Sequence, residues 1–171
     1  MDSTRVLELT NAANLARPRT RAAVEFEAPS RASSISGIRS RARAFARSMG
    51  FAPDDLDDIC IAVGEASTNA VKHGRSPAYP RIGVRMENHP DALRVFITDA
   101  GPGFDPCALC PPGEGDLSEC GRGIMCMRAL MDEVIFHSMR PGTRVEMAKY
   151  VGGAFSSPLP ALRKSLSRTG A

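Results

Sequence analysis

The spacing of hydrophobic and polar residues along the chain predicts three helices. Apolar residues recur at steps of three and four in residues 53–73, which is typical of a helix that packs on a core along one side. This stripe consists of Leu56, Ile59, Val63, Ala66 and Ala70. Similar patterns predict helices over residues 29–49 and 122–131, and Gly50 and Gly74 are suitable residues to end the first two helices.

Five shorter stretches have the apolar content and the bounding turn residues of β-strands. Residues 88–91 and 141–142 supply turn residues between two pairs of them. The predicted strands are residues 21–27, 81–87, 93–99, 133–138 and 143–151. Because the order is β-α-α-β-β-loop-α-β-β, we expect an α/β sandwich with one mixed, mostly antiparallel sheet covered on one face by helices.

Three segments lie outside this pattern and set the domain boundaries. Residues 1–20 are weakly patterned and predict a flexible N-terminal arm, whereas residues 152–171 are rich in Gly, Ser, Pro and Arg and predict a disordered tail. Residues 100–121 are rich in glycine and proline, and such long loops are uncommon in a compact domain unless they carry function. The folded domain is therefore predicted over residues 21–151.

Composition is typical of one globular domain and argues against several classes of protein. The 171 residues are 43% apolar and 24% charged. No apolar run is long enough for a membrane span, and the first twenty residues lack the core of a secretory signal, so we expect a cytoplasmic protein. A net charge of +3 and 5% aromatic residues argue against direct binding of nucleic acid.

Three polar residues share one side of the helix predicted over residues 53–73. Glu65, Asn69 and His73 follow one another at intervals of four. The acid could orient or deprotonate a nucleophile, and the amide one turn away could ligate a hard cation. The alternative is a solvated helix face, which is what most exposed Glu/Asn pairs form.

A glycine-rich turn follows the third predicted strand. Asp99 ends that strand and precedes Gly101 and Gly103. A buried carboxylate at this place can accept a hydrogen bond from an exocyclic amine such as adenine N6, and glycines let the backbone lie close to a flat ligand. The alternative is an ordinary turn with an aspartate cap.

Two further short motifs are typical of nucleotide sites. Gly121-Arg122-Gly123 opens the third predicted helix, and glycines there leave amide N–H groups available for phosphate oxygens. Arg122 could add charge or could point to solvent. Thr143 begins the last predicted strand, where its hydroxyl could assist the base-binding aspartate. Each motif alone is also compatible with a helix cap or a simple turn.

Taken in order, these motifs resemble the nucleotide-binding domain of the gyrase, Hsp90, histidine-kinase and MutL ATPase superfamily, over residues 22–150. Within it, the sequence is most similar to the bacterial anti-sigma-factor serine/threonine kinases. The stretches that carry this similarity include E-A-S-T-N-A-V-K-H-G, D-A-G-P-G-F-D-P and G-T-R-V-E-M-A-K. The resemblance implies a Bergerat-type, histidine-kinase-like ATP-binding fold. No phosphoacceptor helix pair precedes the domain, which argues against a two-component sensor kinase.

The resemblance also implies roles for individual residues. Adenine would lie on Asp99, Asn69 would hold Mg²⁺ together with phosphate oxygens, and Glu65 would act as the catalytic base on a partner serine. His73 would be a helix-end or packing residue. The remaining residues expected to contact ATP are Gly101, Gly103, Gly121, Arg122, Gly123 and Thr143.

The implied partners are a sigma factor, which such kinases hold, and an anti-anti-sigma protein, which they phosphorylate. Arg39 lies in the helix that the family uses for docking and is the predicted partner-binding residue. Members of the family commonly form homodimers, so the resemblance also implies a homodimer. An alternative hypothesis is that the protein binds a partner under the control of nucleotide and transfers no phosphoryl group. A third and less favoured hypothesis is an ATPase of the superfamily that uses water as the acceptor.

Four cysteines lie in or next to the long loop. Cys107, Cys110, Cys120 and Cys126 include a C-x-x-C pair, so a zinc site and a redox-sensitive loop are both conceivable. The spacing of the second pair is wide, and metal would clamp a loop that must open for nucleotide exchange. Incidental reduced thiols are therefore the favoured interpretation.

Overall fold

The computed structural model describes residues 20–103 and 119–153, which form five strands and three helices. The strands are β1 (Ala22–Pro29), β2 (Arg81–Asn88), β3 (Ala92–Thr98), β4 (Glu133–Ser138) and β5 (Thr143–Tyr150). The helices are α1 (Ile35–Ser48), α2 (Pro53–His73) and α3 (Glu119–Leu130). Short 3-10 turns at Ala32–Ser34 and Val151–Gly153 precede α1 and follow β5.

The five strands form one sheet in the order β1-β2-β3-β5-β4, and every neighbouring pair is antiparallel. Successive side chains of a strand point to opposite faces. In β2, Ile82, Val84 and Met86 are buried in the core shared with the helices, whereas Arg81 and Arg85 are exposed on the other face. The predicted α/β sandwich with helices on one face is confirmed.

Helix α2 is the central helix of the helical layer, because it packs against α1, against α3 and against the sheet. Pro53 occupies its first turn together with two acids, which suits the helix dipole. All five residues of the predicted apolar stripe are buried. The helix ends as predicted at His73, where the backbone N–H of Gly74 donates to Ala70 O at 3.0 Å.

The first helix begins later than predicted. β1 continues to Pro29, which is paired with Arg81 of β2. Because sheet pairing keeps this segment extended, a 3-10 turn intervenes and α1 begins only at Ile35. The prediction of a helix over residues 29–49 was therefore wrong at its N-terminal end.

Helix α3 begins at Glu119, earlier than the predicted start at Arg122. Gly121, which was predicted to precede the helix, consequently lies inside it together with Gly123, although a glycine in a helix costs about 1 kcal/mol relative to alanine. Helix ends are set largely by packing of the apolar face, and α3 packs along α2. The prediction that this helix starts at Arg122 was therefore wrong, although the motif does lie in its first turns.

Several predictions fall on parts of the chain outside the described residues. These are residues 1–19 of the predicted arm, residues 104–118 of the predicted loop and residues 154–171 of the predicted tail. Within the described ranges, no helix combines the length and the hydropathy needed to cross a membrane.

Candidate functional site

Asp99 is held by hydrogen bonds where β3 ends and β5 begins. Its backbone N–H donates to Thr143 O at 2.9 Å, and its Oδ1 accepts from the backbone N–H groups of Thr143 at 3.2 Å and Gly101 at 3.0 Å. Among the described residues, no hydrogen bond engages Oδ2. The carboxylate is therefore fixed in place and retains one acceptor oxygen for a ligand.

Three glycines pack so closely around Asp99 that none of them has space for a side chain. A Cβ at Gly74 would overlap the Asp99 side chain, and a Cβ at Gly142 would overlap the Asp99 backbone oxygen. A Cβ at Gly101 would lie 2.6 Å from Gly74 Cα. Gly142 also has φ +103°, a conformation that favours glycine. The end of α2, the turn after β3 and the start of β5 thus converge on one carboxylate.

A partly open pocket lies in front of Asp99. Its polar lining comes from Asn69, His73, Asp99 and Thr143. Its other lining residues are apolar or glycine, namely Ala66, Ala70, Ile97, Gly103, Ile124, Phe136 and Val145. Apolar walls with a few fixed polar groups are typical of a site for a flat, mostly hydrophobic ring system.

Glu65 and Asn69 face the first turns of α3. A Cβ at Gly123 would lie 2.9 Å from Glu65 Oε2 and 3.7 Å from both Oδ1 and Nδ2 of Asn69. The backbone of α3 at Gly123 is therefore in contact distance of both side chains. This close approach is a physical reason for a glycine at this position of α3.

Asn69 lies between the pocket in front of Asp99 and the contact of Glu65 with α3. It lines the pocket in front of Asp99, and it also lies one helical turn from Glu65 on the same side of α2. The order along the site is therefore Asp99, Asn69 and Glu65. A ligand whose ring occupies the pocket and whose chain extends over Asn69 would reach Glu65.

The structure places the other predicted ligand residues in three different positions. Gly103 and Thr143 line the pocket, and Thr143 contacts Asp99 through its backbone and not through the predicted hydroxyl. Gly101 packs behind Asp99, against Gly74. Gly121 and Arg122 belong to the first turn of α3, and the pocket lining among the described residues does not include them.

Seven pocket residues were not predicted as ligand contacts, namely Ala66, Ala70, His73, Ile97, Ile124, Phe136 and Val145. The last four of these are the large apolar residues of the pocket wall. The strand alternation could have identified Ile97, because it lies two residues before Asp99 and points to the helical side. Phe136 of β4 and Ile124 of α3 come from elements that meet only in the folded domain. His73, predicted to be a helix-end residue, ends α2 and also lines the pocket.

Arg39 is exposed on α1 and lies beside Gly64 of α2. A Cβ at Gly64 would lie 3.2 Å from Arg39 Cδ, so the stem of this exposed arginine rests on the residue before Glu65. The next arginine on this side of α1, Arg43, pairs with Asp57 at 2.5 Å. α1 therefore presents a positive charge next to Gly64, the residue that precedes Glu65, whereas the Glu65 carboxylate faces Gly123 of α3.

The cysteine alternatives are not resolved by the described residues. Cys107 and Cys110 lie outside the described residues, as does the side chain of Cys120. Cys126 is half-buried in α3, where burial and then the charges of Glu65 and Asp58 raise the pKa of its thiol. Cys60 is buried. The favoured interpretation of incidental thiols remains a prediction.

The sequence matches the family described as "Histidine kinase-like ATPase domain" over residues 28–149. This range is more than half of the chain and contains Glu65, Asn69, Asp99, Gly123 and Thr143. The protein therefore belongs to the histidine kinase-like ATPase domain family, as the motifs predicted.

Curated relatives within this family are serine-protein kinases named RsbW. The chain is 33% identical to RsbW of Bacillus cereus over 138 residues, which cover 75% of this chain and 84% of the relative. It is 34% identical to RsbW of Bacillus velezensis over 139 residues, which cover 76% and 86% of the two chains. The protein is thus a relative of the RsbW serine-protein kinases.

Solved structures support the fold. The structure of the RsbU and RsbW domains of a Mycobacterium tuberculosis protein matches with a TM-score of 0.58 and 18% identity, over 75% of this chain and 32% of that one. The SiaB–SiaC complex of Pseudomonas aeruginosa matches with a TM-score of 0.50 and 14% identity, over 87% and 100% of the chains. At these identities the likeness concerns the fold alone.

Proposed function

We propose that this protein is an ATP-dependent serine kinase and anti-sigma factor that phosphorylates an anti-anti-sigma protein and thereby controls release of a sigma factor. The observation that carries this proposal is that Asn69 both lines the pocket with Asp99 and faces Gly123 together with Glu65, in a chain related to serine-protein kinases. Such a protein would act in the cytoplasm, and we include a homodimer in the proposal.

The pocket in front of Asp99 is the proposed adenine site. The exocyclic N6 amine of adenine would donate to Asp99 Oδ2, and the ring would lie against Ile97 and Phe136. Guanine has a carbonyl oxygen at the equivalent position, and this oxygen would face a carboxylate. A site built to accept a hydrogen bond discriminates strongly against ligands that cannot donate one, so ATP is the proposed nucleotide and GTP is not.

Asn69 is the proposed protein ligand of Mg²⁺. Mg²⁺ usually takes one or two protein oxygens together with phosphate oxygens and water. In the described ranges, no group of three or more His, Cys, Asp and Glu side chains could hold a metal ion, so an all-protein cage is not available there. The amide oxygen of Asn69, between the adenine pocket and Glu65, would supply the one protein ligand of this kind of site. When bound, Mg²⁺ would neutralise charge on the phosphates of ATP.

Glu65 is the proposed catalytic base. Its carboxylate would accept the proton of the partner's serine hydroxyl while the serine oxygen bonds to the γ-phosphorus, and the bond between that phosphorus and the β–γ bridging oxygen would break to release ADP. The backbone of Gly123 on one side and Asn69 on the same face of α2 restrict where the carboxylate can lie. Arg122 and the amides of the first turn of α3 are proposed to stabilise phosphate charge.

Arg39 is the proposed docking residue for the partner. It rests on Gly64, so an acidic side chain that binds Arg39 would bring the neighbouring partner residues close to Glu65. Ile61, which is 43% exposed one turn before Glu65, offers an apolar contact on the same side of α2. The charge and the apolar contact together favour a protein acceptor over water.

The test is phosphoryl transfer from labelled ATP in the presence of Mg²⁺ and candidate anti-anti-sigma proteins, with phosphoserine identified by mass spectrometry. Glu65→Gln should lower the transfer rate by about 10²-fold or more while the Kd for ATP stays nearly unchanged. Glu25→Gln, on the exposed face of the sheet, is the matched control and should transfer normally. A wild-type protein that binds ATP and modifies no partner would instead support the nucleotide-gated binding protein.

A further inference from the structure

A buried lysine joins three elements of the fold outside the proposed site. Lys149 of β5 is only 3% exposed and points to the helical side of the sheet. Its Nζ donates to Leu130 O at 2.7 Å and to Asp58 Oδ2 at 3.1 Å, and it lies 3.5 Å from Asp55 Oδ1. A buried ammonium group needs such partners, because burial of an unpaired charge is strongly unfavourable.

Two of these partners belong to the helices that form the catalytic end of the site. Asp58 precedes Glu65 by seven residues on α2, and Leu130 follows Gly123 by seven residues on α3. Each interval is two helical turns, or about 10 Å. Since Gly123 lies against Glu65 and Leu130 is joined to Asp58, the two helices run antiparallel with matched spacing.

The middle of this helix pair agrees with that register. Cys126 lies between Gly123 and Leu130 on α3, and its thiol is influenced by the charges of both Asp58 and Glu65, in addition to burial. α3 therefore follows α2 closely along the interval between the buried lysine and the catalytic carboxylate.

The C-terminal end of α3 has a second attachment to β5. Asp132, two residues beyond α3, accepts from the backbone N–H of Tyr150 at 2.7 Å and donates its own backbone N–H to Ala148 O at 2.9 Å. Lys149 lies between these two residues of β5. One end of α3 is thus fixed to the sheet, and the other end contacts Glu65.

We propose that Lys149 is a positioning residue for phosphoryl transfer, because its bridge from Asp58 to Leu130 sets the register of α3 on α2 and so holds Gly123 against Glu65 and Asn69. This inference rests on the proposed function. Lys149 does not line the pocket in front of Asp99, so its contribution concerns transfer and not adenine binding.

The first test replaces Lys149 with methionine, which keeps an unbranched apolar stem and removes the ammonium group. Lys149→Met should lower kcat for transfer by about tenfold or more, because small displacements of catalytic groups are costly, and should leave the Kd for ADP within about threefold of wild type. Arg128→Met, which removes an exposed cation from the last turn of α3, is the matched control and should change neither value. An unchanged kcat in Lys149→Met would overturn the proposal.

A second measurement reads the helix register without any activity. The rate of iodoacetamide modification at Cys126, followed peptide by peptide with mass spectrometry, depends on its thiolate fraction and on its access. Lys149→Met should change this rate by about threefold or more, because Glu65 and α3 no longer keep their spacing. An unchanged rate would contradict the proposal, and this holds even if the wild-type protein transfers no phosphate and the proposed function itself fails.

A double variant separates positioning from simple stability. In Lys149→Met with Asp58→Asn, the acid that has lost its contact with Lys149 is also removed, so the protein should regain part of the stability lost in the single variant. The proposal expects kcat to stay low, because Leu130 O still lacks its donor and the bridge is absent. Recovery of kcat together with stability would show that Lys149 is merely structural. If Lys149→Met does not fold, the kcat of the double variant alone tests the proposal.

Discussion

Replacing Gly123 with alanine should stabilise α3 and yet impair phosphoryl transfer. Gly123 lies inside α3, where alanine is favoured over glycine by about 0.5–1 kcal/mol. For a protein of this size, such a gain raises Tm by about 1–4 °C. The new Cβ, however, would lie 2.9 Å from Glu65 Oε2, closer than an ordinary contact. The carboxylate is the flexible end of a side chain, so it can move by about half an ångström at little cost in stability.

The cost should instead fall on catalysis. A misplacement of about 1 Å in a catalytic group can reduce the rate by about 10²-fold, so a shift of half that size should lower kcat by about tenfold. The adenine pocket is formed by other residues, and the Kd for ADP should not change. Thermal unfolding, ADP titration and single-turnover transfer from labelled ATP measure the three quantities on the same preparation.

Gly37→Ala is the matched control for this prediction. Gly37 lies in α1, and a Cβ there would have no atom within 4 Å. This variant should therefore show the gain in Tm without a change in kcat. If Gly123→Ala were both more stable and fully active, the close contact between α3 and Glu65 would have no catalytic role, and the reasoning would be refuted.

Three further variants test other parts of the site. Asp99→Asn should weaken ADP binding by about 1.5–3 kcal/mol in calorimetry, since a charged acceptor of the adenine amine is lost; ADP binding at wild-type strength would place the base elsewhere. Gly142→Ala should destabilise the fold by about 2 kcal/mol or more in urea unfolding, because its Cβ would overlap Asp99 O and its φ is +103°; wild-type stability would contradict that geometry. Gly64→Ala should displace Arg39, whose Cδ would lie 3.2 Å from the new Cβ, and weaken partner binding by about threefold to tenfold without affecting ADP; unchanged partner affinity would argue against docking through Arg39.

Local patterns were sufficient for the elements and for the main polar residues of α2. The apolar stripe from Leu56 to Ala70 predicted α2 with its correct ends, because its period and its terminal proline and glycine agree. The same periodicity put Glu65 and Asn69 on one side of the helix, where the structure finds both facing Gly123. These features depend on residues that are close in sequence.

Features that depend on distant residues were not predictable in the same way. The start of α1 was misplaced because pairing of Pro29 with Arg81 keeps that segment extended. Phe136 could not be assigned to the pocket, because only the sheet order brings β4 near Asp99. Lys149 and Asp58 are 91 residues apart, and no local pattern indicates their ion pair.

The most direct test of this account is an experimental structure of the protein with Mg²⁺ and a non-hydrolysable ATP analogue. In that structure we expect the adenine amine on Asp99 Oδ2, Mg²⁺ on the amide oxygen of Asn69, and the γ-phosphate beside Glu65. Adenine bound elsewhere, such as on the exposed face of the sheet near Arg85 and Phe96, would contradict the account.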